Sequence, residues 1–173
     1  LHPRLWHNGF LPGRHQGVPF RSGKEPVLFV KNPPGVDDKL RRRQLDALQQ
    51  LGELEAQRTG DPDAAARLAA FETAARMQSS VPELTDLSDE PAEVLEMYGA
   101  EPGESSFANN CLLARRLLER GTRFVQLCDA GWDTHFNIPK RLPEKCEQVD
   151  KPTAALIKDL KQRGMLDDTI VVF

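Results

Sequence analysis

A carboxylate and an imidazole two residues apart are the side chains of this sequence whose types and spacing best suit chemistry. Asp133 and His135 lie in a glycine-containing loop that follows the apolar run 123–128. In an extended loop, side chains two positions apart project to the same side of the backbone. Carboxylate oxygen and imidazole nitrogen suit Zn²⁺, Mn²⁺ or Fe²⁺. The spacing therefore predicts two ligands of one divalent cation.

Two ligands do not complete such a site. A catalytic zinc ion takes about three protein ligands and keeps one position open for water. Asp129, at the start of the same loop, is the candidate for a third ligand, and otherwise the remaining ligands come from outside this chain. The alternative is that Asp133 holds His135, or caps the next turn, without any metal.

A second candidate site is an anion-binding loop in the basic N-terminal segment. Residues 1–43 hold nine Lys/Arg against three Asp/Glu, whereas the whole chain has a net charge of −3. Around Gly13, the side chains of Arg14 and His15 are available to an oxyanion that backbone N–H groups approach. A net-acidic chain without a basic stripe argues against nucleic-acid binding as its main task.

Composition predicts an ordinary soluble domain. The 173 residues are 39% hydrophobic and 28% charged, enough for one domain or most of one. The three cysteines form no disulfide framework or metal knuckle, so a redox role has little support. Cys111 and Cys128 have apolar neighbours and are predicted to be buried as small hydrophobes. The sequence contains no membrane span and no signal peptide.

The chain divides into three stretches. Residues 1–36 are rich in Gly and Pro and leave room for one short strand, Val27–Val30. Residues 37–103 are predicted to be helical. Residues 104–173 predict helix, strand, loop, helix and strand.

Apolar periodicity and capping residues set the predicted bounds of the elements. The predicted helices run from Asp37 or Asp38 to about Arg58, from Asp61 with Pro62 in its first turn, from Ser88 or Asp89 to Tyr98, from Ser105 or Ser106 to Gly121, and, after an irregular stretch containing Pro139 and Pro143, up to Arg163. The predicted strands are Arg123–Cys128, buried and parallel, and Thr169–Phe173.

The two ends of the sequence predict an internal fragment. The chain begins at Leu1 without a methionine and stops at the strand-like run 169–173. The loop after a parallel strand is where α/β folds place their functional residues. We therefore expect part of a single α/β domain, 1–173.

Several separated motifs resemble one family. They are FLPGRHQGVPFRSG at 10–23, ARMQSSVPELTDLS at 75–88, FANNCLLARRLLERGTRFVQL at 107–127, GWDTHFN at 131–137 and ALIKDLKQRGMLDDTIVVF at 155–173. In this order they closely resemble the family called domain of unknown function 1501, which is similar to the alkaline-phosphatase and sulfatase superfamily.

The resemblance implies a partial three-layer α/β/α fold, alkaline-phosphatase-like, with a helix-rich N-terminal half. It also implies a divalent metal (Zn, Mn, Fe or Ca) at the strand ends, with Asp133 and His135 at the matching positions. The Asp-to-His spacing here is shorter than in many phosphatases. The family's Gly-Gly-Pro, Gly-Glu-Phe-Gly-Arg-like and Asp-His segments, and hence any catalytic nucleophile, are absent from this sequence.

These expectations lead to one functional hypothesis and one alternative. The hypothesis is a fragment, inactive alone, of a metal-dependent hydrolase acting on phosphate or sulfate esters, with an anionic small molecule or polysaccharide as substrate. The alternative is an exported, non-catalytic protein that binds polysaccharide or a protein partner on the same fold. Members of the family resemble exported proteins, which implies an extracytoplasmic or secreted location. The oligomeric state is left open.

Overall fold

The computed structural model describes residues 7–11, 15–21, 26–27, 32–60 and 62–172. Within these residues the regular elements are α-helices and two short 3-10 turns. The helices are α1 (Asp38–Thr59), α2 (Pro62–Thr85), α3 (Ala92–Tyr98), α4 (Phe107–Glu119) and α5 (Ile138–Gln162), and the 3-10 turns are Leu87–Asp89 and Leu166–Asp168. The described residues fall into two compact units, an N-terminal one from residue 7 to residue 83 and a C-terminal one from residue 84 to residue 172.

The predicted bounds of α1 are confirmed. The side chain of Asp37 caps its start by accepting a hydrogen bond from the backbone N–H of Leu40, with N and Oδ1 2.6 Å apart. Gly60 ends the helix with φ 65°, a left-handed conformation that glycine adopts without a Cβ penalty. No residue of α1 is buried, and the caps at Asp37 and Gly60 set where the helix begins and ends.

The C-terminal unit owes its core to α3, α4 and α5. Its fully buried large side chains are Tyr98, Cys111, Leu112 and Leu160. Leu87, Ala100, Ala108, Ala155 and Leu156 complete the centre of this cluster. Apolar residues of α4 and α5 recur at helical spacing, which places one continuous stripe of each helix in the core.

Hydrogen bonds fix the start of α4. Ser106 Oγ accepts from the backbone N–H of Asn109 at 3.1 Å, as the sequence predicted for this helix start. The buried amide of Asn109 in turn holds the preceding linker. Its Nδ2 donates to the carbonyls of Glu101 and Glu104 at 2.6 and 2.8 Å, and its Oδ1 accepts from the N–H of Glu101 at 2.9 Å.

The predicted α/β, alkaline-phosphatase-like fold is wrong for this chain. None of the described residues lies in a strand: 123–128 and 169–172 are irregular, and most of Val27–Val30 lies outside the described residues. Burial still alternates along the first segment, with Val125 and Leu127 partly buried and Phe124 81% exposed. The backbone of an extended run becomes a strand only when a second segment pairs with it, and apolar composition does not report pairing.

The start of α5 is the second correction. The stretch around Pro139 and Pro143 was predicted to be irregular, yet α5 already begins at Ile138. Pro139 occupies the first turn, where no N–H is needed. Pro143 lies inside the helix, where a proline gives up one backbone hydrogen bond. Pro152 also lies inside α5, where it too gives up one backbone hydrogen bond. Its side chain is buried in the core, and this burial offsets part of the loss.

Candidate functional site

Asp133 and His135 are brought together by the loop that precedes α5. Gly131, with φ 95°, turns the backbone at a conformation that a side chain would strain. The N–H of Thr134 then donates to the carbonyl of Trp132 at 2.9 Å, which tightens the turn. The Nδ1 of His135 lies 3.1 Å from Oδ1 of Asp133, so both side chains project to the same side of the backbone, as the shared-ion hypothesis and its metal-free alternative both require.

The pair is open to solvent. The side chain of Asp133 is 90% exposed and that of His135 is 71% exposed. Water therefore screens their mutual attraction, and the contact by itself contributes little to stability. Their exposure leaves both groups accessible to a solute.

Asp129 is engaged elsewhere. Its Oδ2 lies 2.8 Å from Nζ of Lys145 on α5 and accepts a hydrogen bond from Nε1 of Trp132 at 2.9 Å. Across the described residues, no group of three or more His, Cys, Asp or Glu is arranged to hold a metal ion. Asp129 therefore does not join the pair as a third ligand in this conformation.

The predicted anion loop is only partly visible. Arg14 lies outside the described residues, and His15 is exposed in the N-terminal unit. Next to it, the side chain of Gln16 accepts a hydrogen bond from the backbone N–H of Asn8 at 3.1 Å. Participation of Arg14 and His15 in anion binding stays a prediction.

A groove of about 590 Å³ opens in the C-terminal unit. Its wall includes the start of α4, the middle of α5 and the segment 128–129. The polar and charged side chains of the wall include those of Ser105, Asn110, Asp129, Glu147, Gln148 and Lys151. Cys128 also lines the groove and is exposed, so the prediction of its burial is wrong, whereas that of Cys111 is confirmed.

A buried ionic network is the feature that the sequence did not predict. Arg115 is 3% exposed, and its guanidinium contacts Glu90 and Glu119 at 2.5 Å each. Its Nε lies 3.2 Å from Oδ2 of Asp159, without the geometry of a hydrogen bond. Arg163 bridges Asp159 and Glu119 at 2.7 Å each. The i,i+4 pairs Arg115–Glu119 and Asp159–Arg163 are visible in the sequence, but they are equally typical of solvated faces.

Burial and hydrogen bonding shift the pKa values of Arg115 and Tyr98 in this network upward. Burial alone would lower the pKa of Arg115, but hydrogen bonds to Glu119 and Glu90 outweigh it and raise that pKa. Burial, together with the nearby charge of Asp159, raises the pKa of Tyr98 well above its ordinary value. Tyr98 stays protonated and donates its hydroxyl hydrogen to Asp159, with the oxygens 3.1 Å apart. The network therefore joins α3, α4 and α5 around one buried arginine.

The described part of the chain is helical, and its C-terminal unit carries an exposed carboxylate–imidazole pair on a loop and a separate polar groove. A family model described as "Protein of unknown function (DUF1501)" matches residues 1–173, and the chain belongs to that family. No curated protein matches the chain. No solved structure matches it either. Within the part of the chain that the structure describes, no helix has the length and apolar character that crossing a bilayer requires.

Proposed function

We propose that the chain is part of a metal-dependent hydrolase of the sulfatase or phosphatase type, acting on phosphate or sulfate esters, with Asp133 and His135 as ligands of a divalent cation. The resemblance of the sequence motifs suggests this activity. The observation that carries the proposal is the approach of Nδ1 of His135 to Oδ1 of Asp133.

The spacing of these two atoms fits a shared ion. Nitrogen and oxygen ligands lie about 2.0 to 2.2 Å from zinc, so two neighbouring ligands lie about 2.8 to 3.6 Å apart for octahedral to tetrahedral angles. The observed separation of 3.1 Å falls within this range. A carboxylate with an imidazole is also a donor set that Zn²⁺, Mn²⁺ and Fe²⁺ accept. The residues present therefore fit part of such a site, with further ligands required.

The ion and the side chains of the loop would have different roles in the reaction. A bound divalent cation would polarise a phosphoryl or sulfuryl oxygen and lower the pKa of a bound water. Asp133 would supply negative charge, and the imidazole of His135 would bind through Nδ1 only in its neutral form. Asp129 is engaged by the indole N–H of Trp132 and by Lys145, so a further ligand of the ion would come from elsewhere.

An extracytoplasmic location and an anion-binding role for Arg14 and His15 belong to the same proposal. Both are implied by the resemblance or by local composition. They stay predictions.

Metal content tests the proposal directly. The full-length protein is equilibrated with Mn²⁺ or Zn²⁺, freed of unbound ion by gel filtration and analysed for metal. Asp133→Ala and His135→Ala are expected to lose most of the bound metal, because each removes one of the two ligands that this loop provides. Hydrolysis of p-nitrophenyl phosphate and p-nitrophenyl sulfate, measured on the same samples, should fall with the metal content.

Asp150→Ala is the matched control, since it removes an exposed carboxylate of α5 that lies outside the loop. Its metal content is expected to equal that of the unmodified protein. Unchanged metal in Asp133→Ala would refute the assignment of this carboxylate as a ligand.

A further inference from the structure

Helix α1 carries an exposed apolar surface, which we call the leucine face. Leu51 and Leu54 are 64% and 63% exposed, and Leu40 and Leu48 are each 41% exposed. At about 100° per residue, these four leucines fall within about 120° of the helix circumference. The partly buried Leu45 lies about 60° beyond Leu48, on the side of α1 that is less exposed. A row of large apolar side chains left in water typically marks an interaction site.

The charges of α1 are segregated along its length. Residues 38–43 hold four Lys/Arg and one Asp, a charge of +3. Residues 44–57 hold Asp46, Glu53 and Glu55 and no Lys/Arg, a charge of −3. A second α1 running in the opposite direction places the basic stretch of each helix beside the acidic stretch of the other. A second α1 running in the same direction places like charges together, which disfavours that arrangement.

The spacing of the leucine face also fits a pair of helices. Positions 40, 44, 47, 51, 54 and 58 are separated alternately by four and three residues, as in a heptad repeat. About a twofold axis near residue 49, an antiparallel pair packs Leu51 of each copy on Ala47 of the other, and Leu54 on Gln44. This register buries the two most exposed leucines of the helix.

The same register pairs opposite charges at the edge of the leucine face. Positions 41, 48 and 55 follow one another at intervals of seven residues along that edge. In the antiparallel pair, the half-buried Arg41 of one copy meets the exposed Glu55 of the other, and symmetry repeats this contact. A parallel pair instead places Arg43 beside Leu48 and Gln50 beside Glu55, which joins no opposite charges.

We propose that α1 is a self-association surface, on which a second copy of this chain packs antiparallel through the leucine face. A helix of this length spans about 33 Å, and two such helices bury less than the roughly 1,600 Å² of a standard interface. The dimer is therefore weak, with a dissociation constant on the order of 10 µM. In more dilute solution the monomer predominates and α1 is exposed. This inference concerns the N-terminal unit and does not depend on the metal site.

Sedimentation velocity of the full-length protein between about 1 and about 200 µM tests the association. The mass is expected to rise from one chain to two across this range. Leu51→Gln should raise the dissociation constant at least about tenfold, because it replaces an apolar contact in both copies. Since Leu51 is exposed in the single chain, this change should leave the helical circular dichroism signal as it was.

Charge reversal tests the direction of the two helices. Arg41→Glu and Glu55→Arg, each made alone, should raise the dissociation constant about tenfold, because each turns two attractive pairs into repulsive ones. The two changes combined should restore association to within about threefold, since they exchange the partners of each pair. Lys39→Glu is the matched control: it makes the same charge change at an exposed position on the opposite side of α1 from Arg41.

Hydrogen exchange identifies what covers the leucine face. Amides of α1 should gain protection as the concentration rises through the dissociation constant, while those of α4 should not change. A full-length protein that stays a single chain at about 200 µM would overturn the inference. Protection of α1 in such a monomer would assign the face to another part of the chain. A dimer that survives Leu51→Gln, or one that the combined charge reversal fails to restore, would also overturn it.

Discussion

At the scale of single residues, Cys111 has a pH dependence that its burial dictates. Its side chain is 1% exposed, and burial raises the pKa of its thiol to about 12 from a value of 9.0. A group with a raised pKa in the fold contributes stability below its unfolded pKa and loses it as the pH rises toward the folded one. The free energy of unfolding should therefore fall by up to about 1.4 kcal/mol for each pH unit above about 9.

Urea unfolding between about pH 8 and about pH 11 measures this slope. Cys111→Ala should reduce the fall of the free energy of unfolding with pH from about pH 9 upward. Burial also raises the pKa of Tyr98, but this tyrosine contributes to the pH dependence only above about pH 10. Cys128→Ala makes the same chemical change at an exposed thiol and should leave the slope as it was. An equal slope in the Cys111 variant and the unmodified protein would show that the thiol does not titrate on unfolding.

At the scale of elements, capping residues in the sequence correctly predicted where helices begin and end. Asp37 and Gly60 bound α1 where the sequence placed its ends, and Ser106 starts α4. These signals work because caps satisfy backbone groups within a few residues. The prediction of a strand at 123–128 was wrong because a strand requires a second segment to pair with, and the residues of 123–128 do not specify that segment. For the same reason, the spacing of Asp133 and His135 predicted that both side chains project to the same side of the backbone, but nothing in the sequence predicted that Lys145, on the next helix, would contact Asp129.

Asn109 shows how one side chain supports a whole element. Asn109→Asp keeps the shape but replaces two donated hydrogen bonds, to the carbonyls of Glu101 and Glu104, with a carboxylate facing carbonyl oxygens. Because the site is buried, we expect a loss of about 3 kcal/mol in the free energy of unfolding. Gln126→Glu is the control, since it makes the same amide-to-acid change at an exposed position. Chemical denaturation compares the two, and equal effects would mean that the amide of Asn109 does not hold the linker.

At the scale of the whole molecule, the described helices differ in how much tertiary packing stabilises them. Helix α1 buries no residue, whereas α4 buries seven, including Arg115. Isolated helices are marginal in water even when well capped, and tertiary packing supplies most helical stability in proteins. Stability should therefore be concentrated in the C-terminal unit.

Hydrogen exchange followed by mass spectrometry resolves this difference. Amides of α4 and of the second half of α5 are expected to exchange slowly, because they open only when the core around Leu112 and Leu160 unfolds, while α1 exchanges through local fraying. Arg115→Met should accelerate exchange in α3, α4 and α5 together, since it removes the cation that Glu90 and Asp159 share. Arg116 still contacts Glu90 and Arg163 still contacts Asp159, so we expect a cost of about 1.5 to 3 kcal/mol. Arg42→Met, which removes an exposed ion pair with Asp46, is the matched control. Faster exchange confined to α4 would show that the network does not join the three helices. Equal protection of α1 and α4 would contradict the inference that tertiary burial accounts for the difference in stability between these two helices.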